Sequence, residues 1–318
     1  MTGCMVTYGS IYQRLRKNKN ITLQNVVRDT GISIATISRF ERGLSDITLA
    51  KLAPLLAAIH VTRKEFFFEY DFALAAVQKT PREAIHGVMA DRDLPFDHDF
   101  LHQSEYSTQT VADILPVIAK RAAAFQENAT QYNLLMLAYY RAMYGFLKHT
   151  PDTHSIDILR HYLLNVDDWG VFEIELFIGS SMFYAPADNL QMLRTGYRKS
   201  QRLGISKEFG PLQYWLLASD FTVLLALHDL PRAGEVLTML QSQKSDGTLT
   251  GQVETMFFSG WLMIARGHMD AGERICRSAI AIFHVLHDQQ SEQNWTTKLE
   301  NILQDPTAGY ILLSGGLG

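Results

Sequence analysis

The residues with the clearest recognition chemistry stand on one short segment, Thr22 to Gly43, where Ala35 and Arg39 share a face of an expected helix, Ile34–Glu41. An arginine in that position can contact guanine or phosphate, and a small side chain lets a helix approach base edges closely. The remaining candidate contacts on or beside this helix are Ser33, Thr36, Ser38 and Arg42. Hydroxyl and guanidinium donors of this kind set the register of a protein on a DNA backbone. The pattern therefore predicts contact with duplex DNA.

Two short helices and a tight turn must position these side chains. Thr22 and Ser33 are suited to cap the first and second helix, because each hydroxyl can accept a hydrogen bond from a free backbone N–H. Gly31 falls where the turn needs positive φ, and Gly43 falls where the second helix ends. This spacing is typical of a helix-turn-helix, whose second helix enters the major groove.

Packing of the motif is predicted from apolar spacing. Ile37 and Phe40 lie three residues apart and should pack inward against Val26. Further helices are expected over Ser10–Lys17, over Thr48–Ile59 and from about Thr62. The expected apolar face of the second of these consists of Leu49, Leu52, Leu55 and Leu56.

Composition and charge favour two domains with different partners. The chain has 318 residues, 47% of them hydrophobic and 19% charged, which indicates a globular protein. Residues 1–70 carry a net charge of +5 and the remainder −9. A basic head on an acidic body is expected of a phosphate-facing module joined to another domain. No apolar run is long enough for a transmembrane helix, and two cysteines favour the reducing cytoplasm.

The body after residue 70 reads as paired helices without a strand pattern. Apolar stretches of helical period alternate with short breakers such as Trp169-Gly170, Ala185-Pro186 and Gly267. Two segments look alike, Pro231–Leu240 and Met269–Ile280, at a spacing close to that of helical-hairpin repeats. The predicted fold is all-α, with a helix-turn-helix bundle over 1–70, an α-solenoid of degenerate tetratricopeptide-like pairs over 71–305, and an apolar, glycine-rich tail over 306–318.

The head, with ISRFERG at Ile37–Gly43, resembles the Cro/repressor-type helix-turn-helix, and within that class the Rgg family of bacterial transcription regulators. The segment Val166–Phe177, VDDWGVFEIELF, is similar to a Trp-Gly-aromatic-Glu pattern of the same family. The resemblance implies that Arg16 pairs with Glu41, in a role that is structural, phosphate-binding or both. It also implies a cytoplasmic homodimer whose repeat domain binds a short hydrophobic peptide pheromone in a concave groove.

Candidate peptide contacts combine aromatic rings with small polar groups. Tyrosine offers apolar area and a hydroxyl for peptide amides, although plain core packing is an open alternative for each residue. The predicted peptide-binding set is Tyr140, Tyr144, Phe177, Ser180, Ser181 and Tyr184. The tail Tyr310–Gly316 could dock in a groove as a ligand mimic or simply cap the chain.

No motif predicts an enzyme, a cofactor or a metal site. Asp97, Asp99, His98 and His102 have a spacing that could hold a metal, but an acidic loop explains them as well. The sequence therefore predicts a homodimeric, peptide-controlled transcription regulator that binds an inverted-repeat promoter site, with no membrane partner. Two alternatives remain open: a ligand-independent dimeric repressor, and a helical-repeat scaffold whose helix-turn-helix binds protein.

Overall fold

A computed structural model describes residues 6–78, 111–204, 210–242 and 249–307. The chain divides into two compact units, one within residues 1–95 and one spanning 96–316. Across the described residues the secondary structure is helical, with no strand, as the sequence predicts.

The described residues of the first unit, 6–78, form a bundle of five helices. They are α1 (Tyr8–Asn18), α2 (Leu23–Thr30), α3 (Ile34–Glu41), α4 (Leu49–Ala58) and α5 (Arg63–Gln78). The second and third form the helix-turn-helix. The last continues beyond residue 70, where the sequence analysis ends the head domain.

The local signals that define the helix-turn-helix are confirmed. Thr22 caps α2 by accepting from the N–H of Asn25, and Ser33 caps α3 by accepting from the N–H of Thr36. Between them Gly31 has φ 69°, a left-handed conformation that glycine adopts without steric cost. These contacts fix the angle at which α3 leaves the turn.

The core of the first unit forms where the apolar faces of these helices meet. Val26 and Ile37 are fully buried, and Phe40 is nearly so. Helix α1 approaches the end of α3 so closely that a Cβ on Gly9 would lie 1.7 Å from the carbonyl oxygen of Phe40. One part of the expected core is wrong: Leu49 is 78% exposed, because α4 begins at this residue and its buried stripe starts one turn later, at Leu52.

The second unit contains eleven α-helices among its described residues. They are α6 (Val111–Glu127), α7 (Gln131–Leu147), α8 (Thr153–Asn165), α9 (Val171–Ser180), α10 (Pro186–Lys199), α11 (Gln201–Gly204), α12 (Gly210–Ala226), α13 (Leu230–Ser242), α14 (Leu249–Ala265), α15 (Met269–Val285) and α16 (Gln289–Gln304). A short 3₁₀ turn, Ser181–Phe183, follows α9.

These helices form two layers. Helices α7, α9, α12, α14 and α16 pack successively side by side. Helices α6 and α8 pack on α7, α13 packs between α12 and α14, and α15 packs on α14 and α16. Such stacking of antiparallel hairpins is the architecture of a helical repeat protein, in which each pair is buried by its neighbours.

The repeat is visible in its connections. His228, Gly267 and His287 each lie between two helices and have positive φ. The N–H of each donates to a carbonyl in the last turn of the preceding helix. Helices α13 and α15 each bury a small residue at their fourth position, Ala233 and Gly272. Ala233 and Gly272 therefore occupy equivalent positions in the structural repeat.

The Trp-Gly segment ties three helices of the second unit together. The Trp169 indole N–H donates to the carbonyl of Leu163 at 2.9 Å, and its ring lies against Gly196 of α10. A Cβ on Gly196 would approach the ring within 2.1 Å. Glu173 accepts from the N–H of Gly170 at 2.8 Å and from the hydroxyl of Tyr162 at 2.5 Å. The motif thus has a structural role in holding the α8–α9 connection.

Candidate DNA interface and repeat-domain cleft

Helix α3 turns one face inward and leaves the other open. Ile37 and Phe40 are buried, whereas Ala35 and Arg39 are exposed on the opposite side. This is the arrangement that the sequence predicts for a recognition helix. Among the described residues the Arg39 side chain makes no hydrogen bond or ion pair, so its guanidinium donors are available to a ligand.

The hydroxyl groups near the start of α3 are already engaged. Ser33 Oγ lies 2.9 Å from Thr36 Oγ1 and also accepts from the Thr36 N–H at 3.3 Å. The Nε of Arg42 donates to the carbonyl of Ser38 at 3.1 Å, which folds the arginine back along the helix. All four side chains border the open face, but their contacts with DNA stay predictions.

Arg16 and Glu41 form the ion pair that the family resemblance implies. Arg16 Nε donates to Glu41 Oε1 at 2.6 Å, and the second fork donates to Oε2 at 2.8 Å. The hydrogen bonds to Glu41 raise the pKa of Arg16, and a third donor reaches the Ile21 carbonyl at 2.6 Å. Both side chains are less than one tenth exposed. The pair therefore fastens α1 to the end of α3, and a phosphate contact by Arg16 stays a prediction.

The basic side chains of the first unit differ in whether an acidic side chain lies close to them. Arg14 pairs with Glu69 at 2.6 Å, and Lys19 lies 3.8 Å from Glu65. Arg39, Arg42 and Lys51 have no acidic partner within the described part of the chain. Free cations thus occur on α3, just beyond it and on α4. This distribution favours an anionic partner at the helix-turn-helix.

The sequence predicts an exposed peptide-binding surface on α9 and the 3₁₀ turn after it. This exposure is wrong, because the structure buries all four residues. Phe177, Ser180 and Ser181 have no exposed area, and Tyr184 is 4% exposed. The cause is that α9 is apolar on most sides and packs against α7, α8 and α12. Ser180 donates to the Leu176 carbonyl at 2.7 Å and lies 3.0 Å from the Tyr184 hydroxyl. These hydroxyls satisfy one another inside the protein.

The two tyrosines of α7 also differ from an open groove lining. Tyr140 is 5% exposed, with the guanidinium carbon of Arg121 5.8 Å from its ring centroid. Tyr144 is half-buried and packs against the core. Tyr140 is therefore not part of an exposed surface, and peptide contact by Tyr140 and Tyr144 stays a prediction.

A cleft over α7 was not foreseen from the sequence. It has a volume of about 740 Å³ and joins a neighbouring depression of about 370 Å³ through shared residues Leu134, His154 and Ile158. Apolar side chains form its floor. Its polar rim consists of Gln126, Gln131, Arg141, Asp157, Arg160, His161 and Asn165. Scattered rim positions on three helices leave no linear motif, so only the packing of α6, α7 and α8 brings them together.

A buried polar pair between α10 and α12 is a second unforeseen feature. Asp220 and Asn189 have no exposed area, and within the described residues both carboxylate oxygens and both amide atoms lack a partner within hydrogen-bond distance. Burial raises the pKa of Asp220 to about 7, and the nearby Asn189 amide opposes this shift. An acid in such a site favours its neutral form at moderately acidic pH.

Three other sequence predictions concern the acidic segment with two histidines, the C-terminal tail and the absence of a transmembrane helix. Asp97, His98, Asp99 and His102 lie outside the described residues, as does the tail from residue 308. The last described part of the tail is anchored, since the Trp261 indole donates to the Pro306 carbonyl at 2.8 Å. No helix in the described ranges has the length and apolarity required to cross a membrane.

Comparison with known proteins agrees with both units. A family model for the C-terminal domain of the HTH-type transcriptional regulator Rgg matches residues 119–297, and a helix-turn-helix model matches residues 13–66. The pheromone receptor Rgg2(C45S) of Streptococcus dysgalactiae has a similar structure, with a TM-score of 0.62 and 18% identity over 92% of this chain and 98% of that one. A transcriptional regulator from Listeria monocytogenes EGD-e gives a TM-score of 0.69 and 20% identity over 93% and 97%.

A bacterial peptide pheromone/receptor complex is also similar, with a TM-score of 0.58 and 14% identity over 93% of this chain and 99% of that one. The fold and the open face of α3 define a helix-turn-helix transcription regulator with a helical repeat domain. Because the Rgg model covers more than half of the sequence, the chain belongs to the Rgg family. Proteins of this family regulate transcription by binding DNA and are not enzymes.

Proposed function

We propose that this Rgg-family regulator binds a specific inverted-repeat promoter site as a homodimer. The observation that carries the proposal is the open face of α3, with exposed Ala35 and with Arg39, whose side chain has no partner among the described residues, on a helix whose other side is buried. Two such helices, one from each protomer, would enter successive major grooves about 34 Å apart.

The proposal includes control by a short hydrophobic peptide bound to the repeat domain, as in a quorum-sensing receptor. Two of the structurally similar proteins are described as pheromone receptors, and this similarity supports peptide control. We assign the peptide to the cleft over α7. Its apolar floor suits aliphatic side chains, and rim amides such as Gln126 and Gln131 suit the backbone of an extended peptide.

Regulation requires that the peptide distinguish two states of the dimer. A ligand shifts an equilibrium only by its difference in affinity for the two states. Peptide binding in the cleft must therefore change the separation or orientation of the two recognition helices.

The DNA-binding half is tested by selecting duplexes from a random library with the full-length protein. Selection of one inverted-repeat sequence, bound with steeply salt-dependent affinity, is the expected result. Selection of no sequence, or affinity insensitive to salt, would contradict DNA recognition and favour a protein-binding scaffold.

The peptide half is tested with a panel of synthetic aliphatic peptides of five to ten residues, titrated against the protein–operator complex. At least one peptide should change operator affinity, and Ile158→Gln in the cleft floor should weaken its binding at least tenfold. Leu286→Gln, an exposed aliphatic position outside the cleft, is the matched control. If no peptide changes operator affinity, the ligand-independent repressor is the better description. If Ile158→Gln binds an active peptide normally, the peptide lies elsewhere.

A further inference from the structure

The first residue of the recognition helix is a large aliphatic side chain that faces solvent. Ile34 is 48% exposed, whereas Ile37 on the same helix is fully buried. Ala35, the next residue, is also exposed. The start of α3 therefore presents an apolar surface beside the face assigned above to DNA.

The polar groups around this apolar pair are committed to the helix itself. Ser33 and Thr36 hydrogen-bond to each other across the N-cap, and Arg42 folds back to the Ser38 carbonyl. Arg39 is the side chain on this face whose donors have no partner among the described residues. The open face thus combines an apolar end with the Arg39 guanidinium.

The distance along α3 between its apolar end and Arg39 matches the distance between neighbouring base pairs. Residues 35 and 39 are one turn apart, so the apolar end and Arg39 are separated by about 6 Å along the axis. Successive base pairs are about 3.4 Å apart along the duplex. A recognition helix that enters the groove by its N-terminal end would put Ile34 and Ala35 deepest, one or two base pairs from Arg39.

The C5-methyl group of thymine is the apolar group that the major groove exposes, and apolar side chains recognise it by contact. We propose that Ile34, supported by Ala35, packs on a thymine methyl group and makes this chain select a T·A pair within two base pairs of the Arg39 contact. This inference rests on the proposed DNA-binding function and adds the base that α3 selects.

Thymine-to-deoxyuridine scanning tests the contact directly. Each thymine of the operator selected by the full-length protein is replaced singly by deoxyuridine, which removes the methyl group and keeps base pairing. At one position in each half-site the affinity should fall about fourfold, as expected for one methyl group removed from apolar contact. Other thymines should give less than a twofold change.

The Ile34→Ala variant identifies the side chain responsible. It should bind the thymine operator several-fold more weakly than the unsubstituted protein and show no further loss with deoxyuridine at the sensitive position. Val285→Ala, a highly exposed aliphatic residue of the repeat unit, should keep the full deoxyuridine effect. Circular dichroism melting confirms folding, since an exposed side chain contributes little to stability.

A uniform response to deoxyuridine, or an unchanged response in Ile34→Ala, would overturn the thymine contact while leaving DNA binding intact. Failure of the full-length protein to select any duplex would overturn the proposed function, and this inference with it. The two failures are therefore distinguishable in one set of titrations.

Discussion

At the scale of single residues, buried charges decide how the two units respond to substitution. The Arg16–Glu41 pair is desolvated, whereas the Arg14–Glu69 pair is one third to one half exposed. Removing one member of a buried pair leaves an uncompensated charge and costs about 3–5 kcal/mol, whereas an exposed pair contributes about 0–1 kcal/mol. Breaking the buried Arg16–Glu41 pair should therefore cost more free energy of unfolding than breaking the exposed Arg14–Glu69 pair.

Glu41→Gln should lower the stability of the first unit by about 3 kcal/mol, because Arg16 keeps its buried charge and loses its carboxylate. Hydrogen exchange of the α1 and α3 amides in the full chain measures this local stability. Glu69→Gln is the matched control and should change exchange by less than about 1 kcal/mol. Equal effects of the two substitutions would contradict the structural role of the buried pair.

Asp220 predicts a pH dependence for the second unit. Its pKa rises on folding from an ordinary value to about 7, so the folded state binds more protons between these values. The free energy of unfolding should fall as pH rises from about 5 to 7, by up to about 1.4 kcal/mol per pH unit. Below the unfolded pKa the favourable contribution is complete, and above pH 7 it is lost.

Urea unfolding followed by tryptophan fluorescence measures this dependence, since all four tryptophans lie in the second unit. Asp220→Asn should remove most of the slope and stabilise the protein at pH 8. Asp157→Asn, at an exposed carboxylate, should keep the slope. A slope that persists in Asp220→Asn would show that another group titrates.

At the scale of helices, the sequence predicts where a helix begins and ends better than it predicts which of its faces are buried. The caps at Thr22 and Ser33 and the turn at Gly31 were predictable because each depends on contacts within a few residues. The burial of Phe177 and Ser180 was not, because it depends on which helices cover α9. An amphipathic period reports a face that can be buried, but α9 and α12 are covered on most sides and carry little such signal.

Close helix contacts predict a second substitution effect. Gly196→Ala should destabilise the second unit by about 1–3 kcal/mol, because the new methyl group would overlap the buried Trp169 ring. The urea midpoint by tryptophan fluorescence measures the change. Thr195→Ala, one residue away and half-exposed, should stay within about 0.5 kcal/mol. Equal midpoints for all three proteins would mean that α10 does not pack on Trp169 as described.

At the scale of the molecule, the net charge predicted from the sequence differs between the two units. This difference agrees with their proposed roles in DNA binding and peptide binding. In the basic first unit Arg39, Arg42 and Lys51 have no acidic partner among residues 6–78, 111–204, 210–242 and 249–307. The acidic second unit has the fold of a family that includes pheromone receptors. The proposed peptide site was the least predictable part of the molecule. The cleft over α7 is assembled from three helices whose relative placement no local pattern encodes.

The central claim is that the open face of α3 recognises DNA, and the operator affinity of Arg39→Ala tests it most directly. Arg39 is exposed and its side chain has no partner in the part of the chain that the structure describes, so the substitution should leave the melting temperature unchanged. Operator affinity should fall by about 1–3 kcal/mol, with reduced discrimination if the contact is to guanine or a salt slope lowered by about one if it is to phosphate. Arg198→Ala, an exposed arginine of the repeat unit, should bind normally. Unchanged operator affinity in Arg39→Ala, with its salt slope and discrimination also intact, would contradict the account.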